Sequence, residues 1–448
     1  VALMNRDMTK GPAVGSMLRF ALPMVLGNLL QQCYNIADTL IVGRVLGANA
    51  LAAVGSSFTL MTFLTSILLG LCMGSGTLFS IRFGERDQKG LQESVLASFL
   101  LILALTAALN LLAFLCLDGI RVFLKIPPEV WGDMRAYLRV IFWGIAATFL
   151  YNFFASLLRA LGNSLIPLVF LAVSALLNIA LDLWFVMGLG WGAAGAAGAT
   201  VAAQYVSGIG IALYALLRLP CLRFTRSGLR VRWSRMRQIA GFSLLTCVQQ
   251  SVMNLGILLV QGVVNGFGPA VMAAFAAAVK IDAFAYMPVQ DFGNAFSTFI
   301  AQNYGARKRE RIRAGFRGAV AASVAFCLVV SALVWAFARP LMLLFVRPEE
   351  TEILAHGVRY LRVEGAFYWG IGCLFLLYGL YRALGRPGMS VVLTIASLGT
   401  RVALAYCLSA LPTIGVDGVW WSVPIGWVLA DAIGFGFYFL RRRRLLPE

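Results

Sequence analysis

Two aspartates, an asparagine and a threonine are the residues of this 448-residue chain whose types and spacing could do chemistry. Asp38 stands inside an apolar run that opens near Ala21 and carries Pro23 close to its start. Asn178 and Asp182 are four apart and so share one helical face. Thr200 lies in the next run, reached through the short turn Gly188-Leu-Gly-Trp-Gly192. At ~1.5 Å per residue, Asp182 and Thr200 fall ~12–15 Å from that turn and Asp38 ~9 Å from the end of its own run. The four can therefore converge. Two carboxylates, an amide and a hydroxyl are hard oxygen ligands, suited to a proton or to a small cation such as Na+. Interhelical hydrogen bonding would account for Asn178 or Thr200 alone. It accounts poorly for two carboxylates, since an ionised Asp at the centre of a membrane helix costs roughly 2.5–3.5 kcal/mol on insertion scales.

The elements that hold these residues follow from composition. The chain is 60% hydrophobic and 12% charged, with a mean hydropathy of +0.84, far from a soluble domain. Its apolar runs are long enough to cross a hydrocarbon core of ~30 Å as helices, which excludes a β-barrel. Spans are expected at about 18–43, 49–81, 91–117, 135–157, 165–187, 193–218, 238–265, 270–303, 316–338, 354–381, 388–410 and 416–440, so the fold class is an all-α polytopic membrane protein with twelve transmembrane helices. Pro23, Pro288 and Pro424 lie deep enough in their spans to kink them. The net charge of +18 sits in loops rather than on a nucleic-acid-binding face. Of the 37 Lys and Arg, 26 fall on one side and 9 on the other, which places both termini in the cytoplasm. Residues 219–237 form the one long cytoplasmic connection, where arginines alternate with apolar residues as in an interfacial linker. Met4 reads as a natural start, and no cleavage site follows it. The eight cysteines lack metal-site spacing, and the single histidine, His356, cannot build a metal cluster or a hydrolytic centre.

The chain also repeats itself. Shifted by about 221–223 residues, Gly47 falls on Gly268, Phe83-Gly84-x-Arg86 on Tyr304-Gly305-x-Arg307, and Tyr137-Leu-Arg-Val140 on Tyr360-Leu-Arg-Val363. Arg159-Ala-Leu-Gly162 likewise falls on Arg382-Ala-Leu-Gly385, and Gly192-x-x-Gly195 on Gly415-x-x-Gly418. Six spans per half is an even number, so the halves enter the membrane with the same orientation as two parallel six-helix bundles: 1–218, then the basic linker 219–237, then 238–448. Two such bundles make a transporter rather than a channel, which would need a pore ring. The duplication supplies a control, because residues that packing demands tend to recur. Asn178, Asp182 and Thr200 face Arg401, Ala405 and Val423 in the second half, so the set belongs to the first. The second half embeds its own charges: Lys280, Asp282 and Asp291, then Glu364, Arg401 and Asp431. They read either as internal ion pairs or as a second coupling or substrate site, with Asp282 and Glu364 foremost.

These residues resemble a known family. The opening Ala-Leu-Pro-Met-x-Leu-Gly-Asn, Asp38 within Asn-Ile-Ala-Asp-Thr, the Asn178-x3-Asp182 pair with Thr200, and the doubled Arg-Ala-Leu-Gly are similar to the multidrug and toxic compound extrusion (MATE) transporters, over essentially the whole chain. The first-half set is most similar to the DinF-like branch. That resemblance implies that Asp38 and Asp182 are coupling acids, that Asn178 and Thr200 complete a proton or Na+ site, and that Pro23 is a hinge. Span seven carries Gln249, Gln250, Asn254, Gln261 and Asn265 but no acid, which departs from the NorM-like branch. The implied activity is antiport: efflux of hydrophobic, cationic compounds against H+ or Na+, with no cofactor besides the ion, by a monomer in the inner membrane of a bacterium. A lipid-linked oligosaccharide flippase of the same superfamily is the alternative. It would need a basic cavity, whereas six acids against Lys280 and Arg401 lie inside the spans.

Overall fold

The computed structural model describes residues 7–124, 126–223 and 232–448, and among these it is helical throughout its regular structure. The first half runs α1 (Ala13–Leu46), α2 (Ala48–Gly84), α3 (Gln88–Leu115), α4 (Pro128–Ala160), α5 (Leu165–Gly188) and α6 (Gly192–Arg218). The second runs α7 (Trp233–Asn265), α8 (Pro269–Gly305), α9 (Arg309–Ala336), α10 (Thr351–Gly365 with Tyr368–Ala383), α11 (Pro387–Ser409) and α12 (Val416–Leu445). Each is long and apolar enough to cross a membrane once the two parts of α10 are counted together. The core of the expected linker, residues 224–231, lies outside the described residues.

Two departures from the sequence expectation have local causes. Span four starts at Pro128 rather than near 135, because the proline occupies the first helical turn, where its missing N–H costs nothing. Span ten is not one rod: its two parts meet at 53°. The break is a tightened turn, in which Phe367 N–H donates to the Glu364 carbonyl at 3.1 Å and Gly370 N–H to that of Phe367 at 2.9 Å. The matching place in α4 holds a 3-10 turn, Phe142–Gly144, so the interruption belongs to the repeat. The repeated motifs are turn chemistry. Gly162 and Gly385 both sit at positive φ, 90° and 77°, and Arg86 and Arg307 share φ values of 59° and 56°. A left-handed turn is cheap only for glycine, and its recurrence at arginine shows how closely the second half copies the first.

The chain divides into two compact units. The first holds Leu22–Cys247 with Asp7, the second Met8–Ala21 with Val248–Glu448. The divide falls inside α1 between Ala21 and Leu22, next to Pro23, and inside α7 between Cys247 and Val248. In the first unit the early turns of α7 lie against α2 with no room for side chains. A Cβ added to Gly74 would stand 2.4 Å from the Phe242 carbonyl oxygen, and one on Gly70 2.8 Å from the Cys247 Cα. These are close-packing glycines of the small-x3-small kind. Arg235 donates to buried Glu93 on α3 at 2.9 Å. In the second unit the segment ahead of α1 is tied to the start of α9: Arg311 donates to the Met8 carbonyl at 2.8 Å and Lys308 to that of Thr9 at 2.7 Å.

Candidate functional site

The first-half residues meet. Asp38 lies about eight residues before the end of α1, Asp182 about six before the end of α5, and Thr200 about eight into α6. At the helical rise this places all three ~9–12 Å inside the same end of the bundle. Each stands one turn from a member of a single buried apolar cluster, namely Val42, Val186 and Ala196. The i to i+4 relation therefore points each polar side chain toward the same interior. Just past Asp182, Leu183–Gly188 winds as a π-helix, a widened turn often found beside functional residues.

The geometry is rich in acceptors and poor in donors. Asp38 is 8% exposed, Asn178 3% and Asp182 0%. The carboxyl groups of Asp38 and Asp182 face each other within hydrogen-bonding range. Neither Asp182 oxygen, nor Asp38 Oδ1, nor Asn178 Oδ1 receives an N–H or O–H from a neighbouring residue. Asn178 Nδ2 donates to Thr200 Oγ1 at 3.4 Å, Thr200 donates to the Ala196 carbonyl at 3.2 Å, and the Tyr34 hydroxyl meets Thr200 Oγ1 at 3.1 Å. Buried acceptors left bare are costly. Two facing carboxyls form a hydrogen bond only when a proton sits between them, and a small cation would satisfy the same oxygens. Among the described residues no group of three or more His, Cys, Asp or Glu is arranged around a metal, so a cation here would rest on two carboxylates plus the Asn178 and Thr200 oxygens.

The second half has a comparable but differently wired cluster. Asp282, on α8 and 3% exposed, accepts from the Tyr360 hydroxyl at 2.8 Å and from that of Tyr368. Arg401 on α11 lies within electrostatic reach of Asp282 and Glu364 without a direct ion pair. Glu364, fully buried, and Asp431 on α12 present two bare oxygens each. Of the residues singled out in this half, Lys280 stands apart: it is exposed, with its ammonium 5.9 Å from the centre of the Phe345 ring. Asp291, 4% exposed, lies about two turns further along α8 than Asp282.

Of the tyrosines around both clusters, Tyr34 and Tyr368 carry no signal in the sequence, and Tyr137 and Tyr360 stand out there only as markers of the repeat. Tyr34 precedes Asp38 by four on α1, and Tyr137 on α4 lies within electrostatic reach of Asp38 and Asp182. Tyr137 is the repeat partner of Tyr360, which binds Asp282. The duplicated Tyr-Leu-Arg-Val thus marks the same place in both bundles, and each half brings its acids there from different helices. That recurrence was the available signal. Pro23 lies within α1, which continues through it; the proline ring removes the hydrogen bond to the Arg19 carbonyl. Cys221, outside the spans, is 2% exposed, and burial pushes its thiol up to about 11, which keeps it unreactive.

Comparison with known proteins agrees with this arrangement. The MatE family model matches twice, at residues 23–184 and 246–407, two equal stretches at the spacing of the repeat. Among curated proteins the chain is 29% identical to the "Probable multidrug resistance protein YpnP" of Bacillus subtilis, covering 96% of each chain. It is 26% identical to "Probable multidrug resistance protein YoeA" of the same organism, over 97% of this chain and 96% of the other. Among solved structures, one described as the outward-facing conformation of a multidrug resistance MATE family transporter superimposes with a TM-score of 0.90 at 25% identity, covering 98% of both chains.

Proposed function

Because the chain belongs to the MatE family of multi-pass membrane transporters, we propose that it is a multidrug efflux antiporter that exports hydrophobic, cationic compounds in exchange for H+ or Na+. Export follows the relatives, which are named as probable multidrug resistance proteins and match over 96% of their length. The exchange rests on one observation: four buried acceptor oxygens of Asp38, Asn178 and Asp182 have no donor. A cluster built only for packing would pair its acceptors. In the proposed cycle, a proton arriving from outside joins the two carboxyls, or Na+ is held by them with the Asn178 and Thr200 oxygens. Either removes one of the pair's two negative charges. α1 then repacks about Pro23, where its hydrogen-bond ladder is already interrupted, and the substrate leaves outward. Loss of the ion inward resets the site.

The protein acts as a monomer in the inner membrane of a bacterium, with both termini cytoplasmic, as the loop arginines direct. Asp282 and Glu364 are the foremost candidate contacts for a cationic substrate or a second ion, with Lys280 and Asp291, on the same helix as Asp282, as further candidates. The flippase alternative is disfavoured, since Arg401, the other cation inside the spans, is faced by Asp282 and Glu364. The test is dye efflux from proteoliposomes under an imposed pH or sodium gradient. Wild type should respond to at least one gradient and Asp38→Asn to neither; equal efflux by both would reject the proposal.

A further inference from the structure

The cytoplasmic ends of α9 and α12 gather more positive charge onto one surface than topology requires. Arg309, Arg313 and Arg317 follow at i, i+4 and i+8 on α9 and so form one stripe ~12 Å tall. Phe316, beside Arg317, packs on Tyr438 of α12 with ring centres 4.5 Å apart, which brings the stripe against the end of α12. There Arg442 joins it, and all four guanidinium groups lie within electrostatic reach of the Tyr438 side chain. The neighbouring acid, Glu310, is 79% exposed and meets only Arg313, at 3.3 Å. The Nε–H groups of Arg309 and Arg313 are shielded from solvent and reach no acceptor. Two buried donors in a cationic stripe are left without an acceptor.

The repeat shows that this is not a general demand of the fold. At the matching places the first half carries Gln88, Gln92, Leu96, Ala215 and Leu219, with no arginine among them. Gln92 there donates to the backbone carbonyl of Arg223, at 3.4 Å. The positive-inside rule needs basic residues near the cytoplasmic ends of spans, not their alignment on one face. Next to Tyr438 on α12, Phe439 is 59% exposed, an apolar surface at the same level. A ligand with a phosphate and acyl chains fits both.

We propose that the ends of α9 and α12 bind the headgroup of an anionic phospholipid of the cytoplasmic leaflet, with Arg309, Arg313, Arg317 and Arg442 on its phosphate and Phe439 against its chains. Basic pockets between spans on this side of a membrane are the usual place for such recognition. The inference rests on the cytoplasmic orientation proposed above, but binding can be read without transport, so failure of one does not imply failure of the other. The full-length protein in mild detergent would be titrated with cardiolipin, phosphatidylglycerol or phosphatidylcholine, and separately with inorganic phosphate, while native mass spectrometry counts retained lipid. Retention of the two anionic lipids but not phosphatidylcholine is expected. Each Arg→Gln at 309, 313 or 317 should weaken it about fivefold, the factor to which ~1 kcal/mol per basic residue at an anionic surface converts. The triple stripe variant Arg309→Gln/Arg313→Gln/Arg317→Gln should lose retained anionic lipid, whereas one with Arg441, Arg443 and Arg444 all changed to Gln removes as much charge outside the stripe and should bind like wild type. If the triple stripe variant fails to fold, Arg317→Gln alone decides by its fivefold loss. Equal weakening by stripe and control variants, or equal occupancy by millimolar inorganic phosphate, would overturn the proposal.

Discussion

Asp38→Asn should separate function from stability. The substitution keeps the shape of the side chain and replaces one carboxyl oxygen with an NH2 group. In the wild-type protein both Asp182 oxygens, Asp38 Oδ1 and Asn178 Oδ1 are buried acceptors without donors. The new amide can donate to Asp182, which the structure places within hydrogen-bonding range. A hydrogen bond to a charged group contributes ~1.5–3 kcal/mol and a neutral one ~1 kcal/mol, so the variant should gain on the order of 1–3 kcal/mol. For units of roughly 150–250 residues, each kcal/mol moves Tm by ~2–4 °C. Thermal unfolding of the detergent-purified protein, followed by tryptophan fluorescence, should therefore show a higher midpoint than wild type, while the same preparation in proteoliposomes loses gradient-driven efflux. A gain in stability coupled to a loss of activity is the mark of a site kept strained for function. If Asp38 were interhelical glue, the variant would melt lower and still export, and that result would refute the reasoning.

Three further outcomes follow. Pro23→Ala restores an N–H to the Arg19 carbonyl and removes a residue that costs a helix interior ~3 kcal/mol or more; efflux turnover should fall while substrate affinity, read by fluorescence titration, stays within about twofold. Tyr368→Phe leaves Asp282 with Tyr360 as its hydroxyl donor and should cost ~1–3 kcal/mol in thermal stability, with Tyr360→Phe similar and the double variant worse. Gly74→Ala drives a Cβ to 2.4 Å from the Phe242 carbonyl oxygen, whereas a Cβ on Gly241 meets nothing within 4 Å. The first should lose ~1–3 kcal/mol by overpacking and express poorly, and Gly241→Ala should match wild type.

Much of this was legible in the sequence, for reasons visible at particular residues. The repeat could be read because its anchors are turn positions: Gly162 with Gly385 and Arg86 with Arg307 hold left-handed backbone that few substitutions preserve. The first-half site could be read because helical rise fixes depth, and counting from the Gly188–Gly192 turn brought Asp182 level with Thr200. The corrected ends of α1 and α5 bring Asp38 to the same depth. Tyr34, Tyr137, Tyr360 and Tyr368 were not picked out as site residues, since a tyrosine among 31 Phe, 13 Tyr and 10 Trp in apolar spans carries no polar contrast. The break in α10 was hidden because it uses no proline; an i to i+3 turn at Glu364–Phe367 makes it. Lys280 lies within α8, as hydropathy places it, but its side chain is exposed, with the ammonium 5.9 Å from the centre of the Phe345 ring. Hydropathy gives depth along a helix but not the face a side chain takes.

The central claim is that Asp38 and Asp182 carry the coupling ion, and substrate-driven ion movement tests it most directly. Proteoliposomes would be loaded with a cationic dye and diluted into dye-free buffer without any ion gradient, while an internal pH probe and, separately, isotopic sodium uptake are followed. Outward flow of dye should drive protons or sodium inward in the wild-type protein, and Asp38→Asn and Asp182→Asn should each abolish that movement. Inward ion movement that persists at wild-type rate in either variant would contradict the account.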